Sequence, residues 1–388
     1  MKKFVSLLLA ATAFSATGAL GQELNYTVSD PIKFPRTIYA GEMAGVATNS
    51  RGHIYVFQRA GNPFIAMGAP RVFTHGQDQL LEFDQNGNYV RELGKANYAA
   101  TVANSVRVDA RDNVWSVDRT GNTVIKYAPD GSRILMLLGR KPESINITIA
   151  GGGGGGGGGR GAAGGEGGEG GRGAGAGVPP AGAAAARGAA APAGRGGRGN
   201  AVPGAGAQAD VFASPSDVAF DAAGNIFVSD GWGANNRVAK FTPDGVFVKS
   251  FGKTGSDNES LDSPRSLAVD AVGNVYVADG ANRRVQVLSN DLTYLRTITG
   301  VGEPSAICIS PGATQYLYVS NSNPMDNLDV GGEIYKLQLN GTVVGRFGKA
   351  GKGPKEFASV NQMDCRQPNV IYTAESAGFR VQKVTLRP

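Results

Sequence analysis

Apolar residues in this chain come in short runs of about five, and polar turn residues interrupt them every eight to twelve positions. Within SPRSLAVDAVGNVYVADGANRRV, Ser263 to Val285, LAVD and VYVAD read as strands around the turn AVGN, and RRVQVL alternates as a third strand. A fourth run, YLRTITG, closes the unit. Short apolar or alternating runs bounded by Gly, Asn and Asp are the grammar of β-hairpins, because those residues take the tight-turn conformations at least steric cost. No long segment carries a 3.6-residue apolar period, so a helical fold is excluded.

The same pattern recurs in GVATNSRGHIYVF from Gly45, VRVDARDNVWSVD from Val106 and VAFDAAGNIFVSD from Val218. It returns in ICISPGATQYLYVS from Ile307 and MDCRQPNVIYTAE from Met363, making six copies. Fourth strands close on Gly94, Gly139, Gly252 and Gly348. Four strands per unit of about 45 residues is the spacing of a propeller blade, so the expected fold is an all-β, six-bladed β-propeller. The sixth copy ends at RVQKVTLRP after three strands. An open sheet edge is a liability that ring closure removes, so the early segment LNYTV, Leu24 to Val28, is expected to supply the missing strand and latch the ring.

The two ends and one internal tract lie outside this pattern. MKKFVSLLLAATAFSATGALGQ has two lysines, a short apolar core and small residues before Gln22, the layout of a secretory signal peptide over residues 1–21. The apolar core is too short for a membrane span, so an exported periplasmic or extracellular protein is expected. Residues 150–209 are rich in Gly, Ala and Arg, with neither a Gly-X-Y register nor a Gly-Lys-Ser/Thr phosphate loop. Removing them returns the second and third copies to ordinary spacing. The tract is expected to be a disordered insertion within one ring, between blades 1–2 (22–149) and blades 3–6 (210–388).

Charge and cysteine content narrow the partners. Of the formal +6, Lys2 and Lys3 account for two and the insertion for a surplus of three, leaving about +1 for the propeller. That is no basic face, and no nucleic-acid partner is expected. Cys308 and Cys365 are the only cysteines. Export permits a bridge, but their apolar, strand-like surroundings favour two buried thiols.

The units DAAGNIFVSDGWGANNRVAKFTPDG and DAVGNVYVADGANRRVQVL resemble NHL repeats. The layout from FQRAG onward resembles the lyase domain of peptidylglycine α-amidating enzymes and its bacterial relatives. That resemblance implies a six-bladed propeller cleaving peptidyl-α-hydroxyglycine to a peptide amide and glyoxylate. It also implies a central zinc on three histidines, a structural calcium, an arginine and a tyrosine. Matched residue by residue, the histidine positions hold Asn104, Arg265 and Asn361, the calcium-side acid is Gln362, and the tyrosine is Trp232. Only the arginine is kept, as Arg59.

The chain has two histidines, His53 in a turn expected at the surface and His75 in the loop FTHGQD, and neither falls on a ligand position. Amides are poor zinc ligands and a guanidinium repels a cation, so neither metal is expected. The reading that follows is an exported, non-catalytic propeller, expected to be monomeric. Its polar central mouth (Arg59, Asn104, Trp232, Arg265, Asn361, Gln362) would bind a peptide or protein ligand. The alternative is an amidating lyase-like enzyme working without zinc, with Arg59 orienting a substrate carboxylate. Its candidate bases, Asp217 and Asp230, read more simply as structural acids at strand ends, and no Ser-His-Asp or Cys-His set is available.

Overall fold

The computed structural model describes residues 21–60, 64–66, 72–74, 78–95, 100–139, 211–232, 235–324 and 327–387. His75 and the segment 140–210, which holds the Gly-rich tract, lie outside them. The described chain is all β, with no helix, and forms a six-bladed propeller of four-stranded antiparallel sheets. Their innermost strands are Glu42–Thr48, Ala103–Val108, Pro215–Phe220, Pro264–Val269, Pro304–Ile309 and Val360–Asp364, each packed on the next around a closed ring.

Each neighbouring pair of blades shares its own apolar core. Trp115, Val117, Val218 and Phe241 join blades 2 and 3, for example, and Met43, Val56, Tyr372 and Ala374 join blades 6 and 1. This explains the strand composition. Second strands such as Val275–Asp279 are buried throughout because both faces meet a neighbour, whereas outermost strands such as Phe247–Phe251 alternate towards solvent.

The turns follow the repeated Asp. Asp221 Oδ1 accepts the N–H of Ala223 (3.0 Å) and Asn225 (2.9 Å), and Asp270 Oδ1 does the same for Val272 and Asn274. These side-chain turns fix the first hairpin of the blade. Gly139 and Gly252, ending outermost strands, have φ of +82° and +106°, which side-chain-bearing residues seldom adopt.

The expected latch is present. Tyr26–Ser29 pairs antiparallel with Arg380–Leu386 as the fourth strand of blade 6. The Tyr26 ring lies 5.1 Å from Phe347 and its hydroxyl donates to the Lys355 carbonyl at 2.9 Å. An unexpected second contact precedes it: Gln22–Glu23 adds in parallel to Val343–Phe347, the outer edge of blade 5. The amino-terminal segment thus straddles two blades.

The expectation of two free thiols is corrected. Cys308 and Cys365 are disulfide-bonded, with Cα atoms 6.0 Å apart. They occupy neighbouring places at the inner edges of blades 5 and 6, and ring geometry brings together what lies 57 residues apart in sequence.

Candidate functional site

The end of the channel at the start of the innermost strands gathers most of the chain's unusual polar residues. Second strands end here on a repeated acid. Asp230 and Asp279 accept backbone N–H groups of Ala213 and Asp262 and pair with Arg237 (3.3 Å) and Arg284 (2.7 Å) of their own blades. Glu375 repeats the device with Ala358 N–H and Arg380. Asp230 therefore acts as a blade brace rather than as a base. Burial raises the pKa of Asp230, Asp279 and Glu375, and each bonded arginine opposes that rise.

The residue after this brace faces the mouth. In blade 1 it is Arg59, whose Nε donates to the Ala103 carbonyl (2.8 Å) and whose Nη1 pairs with Glu42 (2.9 Å). In blade 2 it is Arg119, with its guanidinium 5.0 Å from the centre of the Trp232 ring. In blade 4 it is Gly280, where a Cβ would come within 2.7 Å of Arg265 Nε. Gly280 therefore leaves room for the Arg265 side chain. Arg265 in turn lies 5.1 Å from the Trp232 ring and pairs with Glu303 at 2.7 Å. Trp232 remains 37% exposed.

The three positions matched to zinc histidines are equivalent positions on blades 2, 4 and 6. Asn361 Nδ2 donates to the carbonyls of Ala44 (2.5 Å) and Asn104 (2.8 Å), and Asn104 Nδ2 donates to that of Ser216. Both amides stitch neighbouring inner strands together. Gln362 Oε1 accepts the N–H of Val46 and Val106 while its Nε2 donates to the Val106 carbonyl. Asn104 and Gln362 are only 3% and 1% exposed, so they sit in the channel wall and do not present themselves at the mouth.

This donor set does not fit zinc or calcium. Two amides point N–H groups at carbonyls, a guanidinium occupies the third place, and the Gln362 oxygen is already taken. No cluster of three His, Cys, Asp or Glu side chains suited to a metal occurs among the described residues. His53 is partly exposed and its Nδ1 bonds the buried Glu82 at 2.8 Å, far from any ligand role.

Below the mouth, Arg107 of blade 2 crosses the channel. It meets Asp217 of blade 3 (Nε–Oδ1 3.0 Å, Nη2–Oδ2 2.5 Å), Ser266 Oγ of blade 4 (3.2 Å) and the Met363 carbonyl of blade 6 (3.0 Å). Burial works against its charge, but Asp217 and Asp364 outweigh it and hold its pKa above the usual arginine value. Asp217 is therefore engaged and unavailable as a base. Beyond Arg107 the channel opens into a 320 Å³ funnel on the opposite face, lined by Asp364, Arg366 and the disulfide among apolar residues.

Sequence reasoning named Arg59, Trp232 and Arg265; the structure sets Arg265 and Arg119 against the Trp232 ring, and Arg119 and Arg107 were missed. The signal for Arg119 lay in the repeat: it follows Asp118 as Arg59 follows Gln58. Nothing local distinguished Arg107, because its partners come from three other blades.

No family model matches the chain, and no curated protein does. Solved structures match on fold. A streptogramin B lyase aligns at 11% identity and a TM-score of 0.50, over 94% of this chain and 98% of its own. A gluconolactonase of Xanthomonas campestris aligns at 13% identity and 0.51, over 96% and 99%. A protein of unknown function from Bacteroides thetaiotaomicron gives 13% and 0.54, over 94% and 77%. At such identities the likeness extends to the propeller alone.

Proposed function

We propose that this chain is an exported NHL-type propeller that works by binding, with the arginine-lined mouth as the seat for a peptide or protein ligand. The observation carrying this reading is the use made of the three equivalent positions on alternate blades. Asn104 and Asn361 spend their amides on the backbone of neighbouring strands, and Arg265 is ion-paired. What the mouth offers is recognition chemistry: guanidiniums around an exposed indole. The signal-like amino terminus and the disulfide support an oxidising, extracytoplasmic location. Neighbours that include a lyase and a gluconolactonase do not choose a reaction, because one propeller carries both names.

The test is to purify the protein, measure bound zinc and calcium, and supply a peptidyl-α-hydroxyglycine. The expected result is no stoichiometric zinc and no glyoxylate. Stoichiometric zinc together with glyoxylate release that is lost in Arg59→Ala would establish the amidating-lyase reading instead.

A further inference from the structure

Among the described residues three arginines, Arg59, Arg119 and Arg265, reach the mouth, and they differ in what neutralises them. Arg59 has Glu42 and Arg265 has Glu303, at 2.9 and 2.7 Å. Arg119, between them, has neither an acid partner nor a hydrogen-bond acceptor for its guanidinium among the described residues; its contact is the Trp232 ring. The deeper acids are occupied. Asp118 takes the N–H groups of Thr101, Val102 and Gly121, and Asp78 takes those of Ala60 and Ala103.

An indole face attracts a guanidinium without cancelling its charge. Trp232 lies within 5.1 Å of both Arg119 and Arg265, so it holds two cations in place while leaving their N–H groups able to donate. Burial is the main cause that lowers the Arg119 pKa to about 10, and Arg59 adds to the fall while Asp118 and Glu42 oppose it. The side chain thus stays cationic at neutral pH and is destabilised there until an anion arrives.

We propose that Arg119, held against Trp232 and flanked by Arg59 and Arg265, is the seat for a carboxylate of the ligand, as at the free carboxyl end of a peptide. A planar monoanion matches one unpaired guanidinium through two parallel N–H···O bonds. A phosphate dianion would ask for more free charge than the mouth has, because Glu42 and Glu303 stand at its two ends. This inference rests on the reading of the mouth as a binding face and specifies what it grips.

The experiment titrates the full chain with N-acetylglycylglycine, with the same compound as its carboxyl-terminal amide, and with inorganic phosphate, following calorimetry and Trp fluorescence. Trp232 reports because Trp115, the other tryptophan, is buried. The free acid should bind at least ~10-fold more tightly than the amide or phosphate, as expected for a charge-assisted bidentate pair. Arg119→Met should reduce the acid to the level of the amide, and Arg119→Lys, which keeps charge but loses the fork, should fall between. Equal affinity for acid and amide, with both lost in Trp232→Ala, would keep the mouth as the binding face and overturn the carboxylate seat. Absence of binding by all three compounds, or acid binding untouched in Arg119→Met and Arg119→Lys, would also overturn the seat. Glyoxylate release in the separate assay would sink the binding-only reading while leaving the seat standing.

Discussion

Arg107 and Asp217, on the innermost strands of blades 2 and 3, meet in a two-pronged ion pair that bars the central channel. Asp217 is almost wholly buried and Arg107 nearly so, and Ser266 adds its hydroxyl to the same carboxylate at 2.9 Å. Removing one partner of such a pair leaves a buried charge uncompensated, which costs ~3 kcal/mol or more. Arg107→Met should therefore lower the urea midpoint severely. Arg107→Met combined with Asp217→Leu should recover much of the loss, which a double-mutant cycle would measure.

The latch makes a second prediction. Tyr26 is buried against Phe347 and anchored through its hydroxyl to Lys355. Tyr26→Ala should cost ~3 kcal/mol, as for other large aromatic truncations. Tyr26→Phe should cost only about 1 kcal/mol, the value of one hydrogen bond. Thermal unfolding of both variants would separate packing from anchoring.

The disulfide ties blades 5 and 6 at their inner edges. Cys308→Ser with Cys365→Ser should lower stability by roughly 2–5 kcal/mol, the usual effect of losing a native bridge. Mass spectrometry after alkylation should find no free thiol in the unreduced protein and two after reduction.

Asp78 supplies the pH dependence. Its carboxyl is pushed up to about 7, chiefly by burial and further by Asp118, against the pull of the Ala103 and Ala60 N–H groups and Arg59. Unfolded, it titrates near 3.9, so the folded state holds this proton more tightly. Its contribution to stability is complete below that value and is lost as pH rises through about 7. The melting temperature should fall between pH 5 and 8, and that slope should flatten in Asp78→Asn.

These cases show where the sequence was legible. The Asp-x-x-Gly-Asn turns and the five-residue apolar runs repeat locally, so six blades and the borrowed strand LNYTV could be read from spacing. Asn104, Arg265 and Asn361 could be placed on equivalent strands by the same register. What those side chains do could not be read. Whether Asn361 faces a ligand or the Ala44 carbonyl depends on how closely three inner strands converge. Arg119 and Glu303 became important only when blades 2 to 5 brought them around one indole. The bridge between Cys308 and Cys365 likewise depends on the angular step between two blades.

The amino-terminal strands carry one more consequence, for the order of events during synthesis. Tyr26 finds its hydroxyl partner 329 residues later, and its strand pairs with the last strand of the described chain. A ribosome releases those pieces in sequence, so the early strand must wait, unpaired, until Arg380–Leu386 has been made. Such distant pairing is slow and exposes strand edges meanwhile. Blade 6, and with it the closed ring, is therefore complete only once both partners of this pairing have been made.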